Sequence, residues 1–540
     1  MYKLSGIIAA AAALVMLVAG CGESGKVKPE AAAAPILKSC SYAEGVTLPW
    51  NTTSIDVKFE YDQNVKVPVD KKSGVTINGG ASVAAVSALN TIVTVKIDGI
   101  EPETSYTLNI AAGTIQGFKE NQNGASVATL SFSTEQKPAE KPDPGDIVDL
   151  PDNEAVALAK KLSVGWNLGN QMDAYVNWEC DEIDYPKETV WGNDLATQAT
   201  FDGVKNAGFK SVRIPITWLR MIGPAPEYKI DETWLNRVAE LVGYAEKAGL
   251  NCIINTHHDE NHGNNHWLDV ANAAKSATKH AEITNEVKVF WTQVAEKFKD
   301  KGDWLIFESF NEINDGGWGW SSAFRADPAK QCNVLNDWNQ AFVDAVRATG
   351  GNNATRWLGV PTYCASPSYT EYFKLPNDPA NKVMLSVHFY DPSDYTIGEK
   401  QYPEWGHTGA SGSKVPGQDG DESHVREVFG KLRNDYVMNN IPVYVGECGC
   451  SLRSKSNTRA WKFYLYYLEY VSKAARSYGL PCFLWDNGTK DFGAEQHGYL
   501  DHGTGAYINN AKEPVDAFIK GWTNNSSSYT LESVYNNAPK

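Results

Sequence analysis

The sequence predicts an α/β protein: a closed barrel of eight parallel strands, each followed by a helix, with a small all-β sandwich in front of it. Three observations carry this. The chain has 540 residues, more than one ordinary domain holds. From 37 to 135 apolar and polar residues alternate with period two, the mark of half-buried strands. Beyond a Pro-rich stretch, short and nearly continuous apolar runs alternate with segments of helical period, which is βα repetition.

At the N-terminus Lys3 precedes an apolar stretch from Ile7 to Ala19, and Val18-Ala19-Gly20-Cys21 follows. That tetrapeptide is similar to the lipobox of bacterial lipoproteins. The likeness implies a signal peptide over 1–20, cleavage before Cys21 and a lipid on that cysteine. The expected location is the extracytoplasmic cell envelope, outer membrane or cell surface, with the lipid as the only membrane contact. Residues 21–36, mostly small, read as a flexible tether.

The segment 37–135 holds alternating runs at 55–59, 92–97 and 106–110, separated by Gly, Asn and Pro. Ile100 to Leu108, Ala112-Gly113-Thr114-Ile115 and Leu130 to Thr134 resemble bacterial Ig-like modules, which implies a spacer. No cluster of titratable residues marks a catalytic site there. Residues 136–152, rich in Pro and charge, read as a stiff linker.

From 153 to 525 the candidate strands are 163–168, 211–217, 251–257, 305–311, 356–362, 383–390, 442–447 and 481–486. Helical patterns at 232–248, 286–299, 336–348, 423–438 and 458–477 fall between most of them. Eight strands in this alternation predict a TIM barrel with enlarged loops at 171–195, 259–275, 314–334 and 391–421. Those loops carry Trp178, Trp267, Trp318, Trp320 and Trp405.

With 49 Lys and Arg against 65 Asp and Glu, the formal charge is −16. That excludes nucleic acid and anionic membrane surfaces as partners and favours a neutral or cationic ligand. The 17 Trp and 25 Tyr suit stacking on sugar rings as well as core packing. Cysteines other than Cys21 show no paired zinc spacing and no disulfide framework; Cys252, Cys448 and Cys482 lie in core strands as small apolar fillers. A monomer is expected.

Two glutamates stand out. Glu312 ends Leu-Ile-Phe-Glu-Ser-Phe-Asn-Glu (305–312) and Glu447 follows Pro-Val-Tyr-Val-Gly (442–446). Each closes an apolar run of the kind buried on both faces, so each is expected at a strand's C-terminal end, the active-site face of a barrel. Opposed carboxylates of this kind are what glycosidic hydrolysis uses, one to protonate the leaving oxygen and one to attack or to activate water.

Asn167-Leu168-Gly169-Asn170, Arg213-Ile214-Pro215, His257-His258-Asp259, Asn311-Glu312, His388-Phe389-Tyr390, Gly446-Glu447 and Trp485-Asp486-Asn487-Gly488 form an ordered series. The series resembles the retaining β-glycanases of glycoside hydrolase family 5. Trp-Asn-Leu-Gly-Asn (166–170), Glu-Thr-Val-Trp-Gly-Asn (188–193) and the double His are similar to its subfamily 4, which holds endo-β-1,4-glucanases, xyloglucanases and xylanases. The resemblance implies Glu447 as nucleophile and Glu312 as acid/base, with carboxyls about 5–5.5 Å apart. An ionised Glu447 is expected to raise the pKa of Glu312. Arg213 and Tyr390 would hold the nucleophile, Asn311 the sugar 2-hydroxyl, His257 and His388 the cleft wall, and Trp485 the floor, with His258 and Asn170 in support. Where subfamily members often carry Gly-Leu-Leu-Asp-Arg, this chain has Gly498-Tyr499-Leu500-Asp501-His502.

The histidines at 257, 258, 262 and 266 invite a metal, but His257 and His258, adjacent on a strand, are expected to point to opposite sides. The mechanism needs neither metal nor cofactor. A β-glucan is the expected substrate, with xyloglucan, xylan or mannan as alternatives. A non-catalytic glycan-binding lipoprotein on a decayed barrel is the reading from another class, and the presence of every supporting residue weighs against it.

Overall fold

The computed structural model describes residues 33–50, 52–118, 124–136, 150–176, 186–260, 266–417 and 420–540. The signal segment, Cys21, most of the tether, most of the linker, Trp178 and His262 lie outside the described residues. The chain divides into two units, Met1–Glu140 and Lys141–Lys540.

The first unit holds two four-stranded sheets. One contains Leu37–Cys40, Ser54–Tyr61, Ile92–Asp98 and Ser82–Leu89, all antiparallel. The other is built on the antiparallel pair Ser105–Ile110 and Ala128–Thr134. Ser54–Tyr61 alternates strictly between exposed and buried, so Ile55, Val57, Phe59 and Tyr61 enter the core with Val93, Val95, Ile97 and Leu108. The result is a small all-β module.

In the second unit eight parallel strands close on themselves in chain order. They are β1 (Val164–Leu168), β2 (Ser211–Ile214), β3 (Asn251–Ile254), β4 (Leu305–Glu308), β5 (Leu358–Pro361), β6 (Val383–Phe389), β7 (Val443–Cys448) and β8 (Cys482–Asp486), and β8 pairs back onto β1. Helices such as Glu232–Ala248, Ala277–Lys297, Pro328–Ala348, Glu422–Asp435 and Thr458–Tyr478 form the outer ring. Two of them begin eight or nine residues before their apolar period does. Ser276 caps the first by accepting the Lys279 amide, and Pro328 opens the second, so their polar first turns form without the periodic signal. After residue 525, the helix Leu531–Asn536 adds Val534 to the core.

Several strands are shorter than their apolar runs suggest: β2, β3 and β4 stop at Ile214, Ile254 and Glu308. His257, His258 and Glu312 therefore stand beyond the ladder, on chain that has already bent over the barrel mouth. Inside the barrel Ile253, Ile306, Met384, Tyr444 and Phe483 pack together, with Leu158 and Leu162 of the helix Glu154–Leu162 in the same cluster. Gly165 makes this possible, since a Cβ there would lie 2.1 Å from the Phe483 ring.

Candidate active site

One strand step above that apolar layer the interior turns polar. Period two carries Ile253 to Asn255, Ile306 to Glu308 and Met384 to Ser386, and these side chains meet around Arg213. The guanidinium is fully buried and all three of its nitrogens are engaged. Nε donates to Glu308 Oε2 at 2.8 Å, Nη1 to Glu447 Oε1 at 2.8 Å and Asn167 Oδ1 at 3.0 Å, and Nη2 to Asn311 Oδ1 at 2.7 Å. Holding Asn311 by its oxygen leaves the amide NH2 of that side chain as the end able to donate elsewhere.

Glu447 owes its direction to a bulge. The β6–β7 register runs Val387 to Val445 and then His388 to Glu447, so Gly446 is the extra residue. Strict alternation from the inward Tyr444 would have turned Glu447 out of the barrel. A Cβ at 446 would sit 3.2 Å from both His388 Nε2 and Ser386 Oγ, tight enough to favour glycine. Tyr390 donates to Glu447 Oε2 at 3.0 Å, so both oxygens of the carboxylate are held. Burial raises the Glu447 pKa, against which His388 and Arg213 pull it down.

Glu312 is held differently. Oε1 lies 2.7 Å from His388 Nδ1, and the side chain is 19% exposed. Its pKa is pushed up to about 8, first by burial and next by the charge of Glu260. Ahead of the expected Glu447, the principal neighbouring charge is Glu260, a carboxylate the motif reading passed over. One atom each of Glu312, His388 and Glu447 lie within 4.8 Å of one another. His388 falls to about 4 through burial, so it is a neutral imidazole at neutral pH.

The expected divergence of His257 and His258 does not occur. Their rings are 4.4 Å apart, and with Asp173 they bring ligand-type atoms within 4.8 Å. The reason is that β3 ends at Ile254, so strand alternation no longer governs residues 257 and 258. His257 is neutral, its pKa depressed by burial, and its Nδ1 lies 3.3 Å from the Asn255 amide nitrogen, which donates. The ring proton is thus on Nε2, 3.9 Å from Glu447 Oε1. His258 lies between Asp173 at 3.9 Å and Glu260 at 3.8 Å. Burial works against its charge, but Glu260 and Asp173 prevail and raise it to about 9. Asn255 committing the Nδ1 of His257, and a protonated His258, both oppose a cation at this spot.

Residues 176–491 match the cellulase family, glycosyl hydrolase family 5. The chain belongs to that family. It is 36% identical to endoglucanase B of Clostridium cellulovorans over 387 residues, 70% of this chain and 78% of that one. Among solved structures, a Bacteroidetes-affiliated GH5 cellulase linked with a polysaccharide utilization locus is 45% identical, with a TM-score of 0.67 over 72% of this chain and 98% of that one. A GH5-4 broad specificity endoglucanase from Bacteroides salanitronis is 49% identical, with a TM-score of 0.63 over 68% and 94%. The protein is a glycoside hydrolase.

Other residues line this family 5 cleft. Trp485 lies parallel to His257, centroids 5.9 Å apart, and Gly169 leaves it room, since a Cβ there would come within 2.7 Å of the indole. From His258 the aromatic series continues to Trp191 at 5.8 Å and Tyr175 at 5.9 Å. Trp191 is 39% exposed, although its Nε1 is fixed on the Tyr175 carbonyl. It was overlooked inside the Glu-Thr-Val-Trp-Gly-Asn motif, as was Glu308 inside Leu-Ile-Phe-Glu, where a charge within a doubly buried run was the available signal. Asn170 has a left-handed backbone, and the bonds recorded for it are backbone ones, to Asp173 and from Asn193. Of the loop tryptophans, Trp405 is buried against Tyr466, Tyr467 and Tyr470, and Trp267 donates to Asp259, whereas Trp318 and Trp320 are exposed. His502 is buried edge-on to Trp166 with Nδ1 on Gln171, so that part of the Gly498–His502 departure is internal packing.

Proposed function

We propose that the protein is a retaining endo-β-1,4-glucanase in which Glu447 is the nucleophile and Glu312 the acid/base. The observation that carries this is the pair of carboxylates: one clamped on both oxygens beside a cation, the other kept protonated to about pH 8, with atoms within 4.8 Å. A Glu447 oxygen attacks the anomeric carbon while the Glu312 proton goes to the glycosidic oxygen, giving a glycosyl ester and a free chain end. Glu312, now a carboxylate, takes a proton from water. The water oxygen bonds the anomeric carbon, and the Glu447–carbon bond breaks. Asn311 Nδ2 is placed to donate to the sugar 2-hydroxyl, and Trp485 offers a face for the same ring.

The substrate class is a neutral β-glucan, in keeping with the acidic chain. Likeness to a family 5 xyloglucanase from Paenibacillus pabuli, 33% identical with a TM-score of 0.61 over 68% of this chain and 100% of that one, supports xyloglucan as a second substrate. The N-terminal module is read as an Ig-like spacer and Cys21 as a lipid anchor to the cell envelope on a monomeric enzyme. The test is reducing-sugar release from carboxymethylcellulose, xyloglucan, xylan and mannan in parallel, with the anomer of the first product followed by NMR. Inverted product, or no release from any glucan, would sink the proposal. For the anchor, Cys21→Ala moves the protein out of the membrane fraction, and unchanged partitioning would refute it.

A further inference from the structure

Four donors surround Glu308, an unusual number for a carboxylate that reaches neither solvent nor the cleft. Oε2 accepts Arg213 Nε at 2.8 Å and Asn255 Nδ2 at 2.9 Å, and Oε1 accepts Ser386 Oγ at 2.7 Å and Tyr444 OH at 2.6 Å. Arg213 and Glu308 are both fully buried. The guanidinium therefore lies between two carboxylates, Glu308 behind it and Glu447 in front.

This arrangement has a consequence for the covalent step, on the reading that Glu447 is the nucleophile. When Glu447 becomes a glycosyl ester its charge disappears, and with Glu447 alone as partner Arg213 would become an unpaired cation in a buried site. Such a loss is strongly unfavourable. The enzyme would then oppose its own intermediate. With Glu308 in place, the guanidinium stays neutralised before and after esterification, and Nη1 stays aimed at the nucleophile. We infer that Glu308 is a positioning residue that acts through Arg213, as the permanent counter-ion that lets Glu447 give up its charge to the sugar. The electrostatics agree: burial works to raise Glu308, but Arg213 and the Ser386 and Tyr444 hydroxyls outweigh it and keep Glu308 ionised.

A glutamine at 308 removes the charge without removing the network. Its oxygen can accept from Arg213 and Asn255, and its NH2 can donate to the Ser386 and Tyr444 hydroxyls, which turn to accept. The probe is an activated cellobioside with fluorine beside the anomeric carbon and dinitrophenolate as leaving group. A Glu447 oxygen bonds the anomeric carbon and the aryl oxygen departs with its electron pair, so no proton from Glu312 is needed. Wild-type enzyme should be labelled on Glu447, as read by mass spectrometry. In Glu308→Gln the labelling rate should fall on the order of 100-fold, the scale of losing one partner of a buried pair.

The acidic limb of kcat/KM should also move. Facing Glu447 are Arg213 on β2, His257 and His258 after β3, Glu312 after β4, and His388 and Tyr390 at the end of β6; Glu308→Gln changes none of them. It leaves Arg213 to stabilise ionised Glu447 alone, so the limb should shift about one unit to lower pH. Glu308→Asp keeps the charge but draws it back, so labelling slows while the limb stays at its wild-type pH. Folded Glu308→Gln that labels at the wild-type rate with an unmoved limb overturns the inference. Wild-type enzyme labelled on another residue overturns the reading of Glu447 itself. If Glu308→Gln fails to fold, Glu308→Asp decides: slower labelling at an unmoved limb supports the role, and wild-type labelling refutes it.

Discussion

The two units bury different things. In the all-β module the inward positions of the strands are almost all apolar, and its buried polar side chains among the described residues are Thr114 and Thr134. In the barrel the same period-two rule places an apolar layer at one level and Asn167, Arg213, Asn255, Glu308 and Ser386 one step higher. A sheet that packs face to face has nothing to offer a buried charge. A closed barrel brings eight strands to a common axis, so one charge can find four partners, as Arg213 and Glu308 each do. The difference separates an apolar core from one that also holds charge at its centre.

The strongest test of that contrast compares Glu447→Gln and Glu312→Gln with a core change in the module. Either glutamine should lower turnover on β-glucan about 10²–10⁴-fold while leaving the thermal transition nearly in place. Ile97→Ala, a buried module residue, should destabilise by about 2–5 kcal/mol with no change in turnover. A module substitution that impaired catalysis without loss of fold would end the distinction.

The pH profile comes next. Glu312 must carry a proton to act as acid, and its pKa is raised to about 8, so the competent form persists up to that pH. Above it kcat/KM should fall about tenfold per unit. A limb near the ordinary carboxylate range instead would mean that burial and Glu260 do not govern this group. Glu260→Gln removes a raising charge and should bring the limb down.

A smaller effect is expected from Trp191→Ala. Loss of one stacking face is worth about 1 kcal/mol, so KM for long cello-oligosaccharides should rise several-fold while an aryl cellobioside that does not reach it is unaffected. Equal effects on both substrates would make Trp191 a structural contact only. Two further interventions should change nothing. A chain begun near Pro151 should hydrolyse soluble glucan at the full-length rate, and turnover dependent on the module would show it to be part of the catalytic unit. Dialysis against EDTA should leave activity intact, whereas zinc-dependent recovery would turn the cluster at Asp173, His257 and His258 into a metal site.

Sequence alone determined the order of the elements, because apolar period and turn residues are local, and so all eight barrel strands and five outer helices could be read from it, whereas the helices Gln198–Ala207 and Lys512–Thr523 were not. It also determined part of the chemical inventory: Glu312 and Glu447 were legible as residues that close apolar runs, and the resemblance to family 5 added Arg213, Asn311, His388, Tyr390 and Trp485. What it could not supply was direction. Glu447 faces inward because of a bulge at Gly446 that exists only in the pairing with β6. His257 and His258 come together because β3 stops at Ile254, and Glu308 meets Arg213 because β2 and β4 converge on one axis. Pairing register and barrel closure are properties of several strands at once, and no single stretch of chain encodes them.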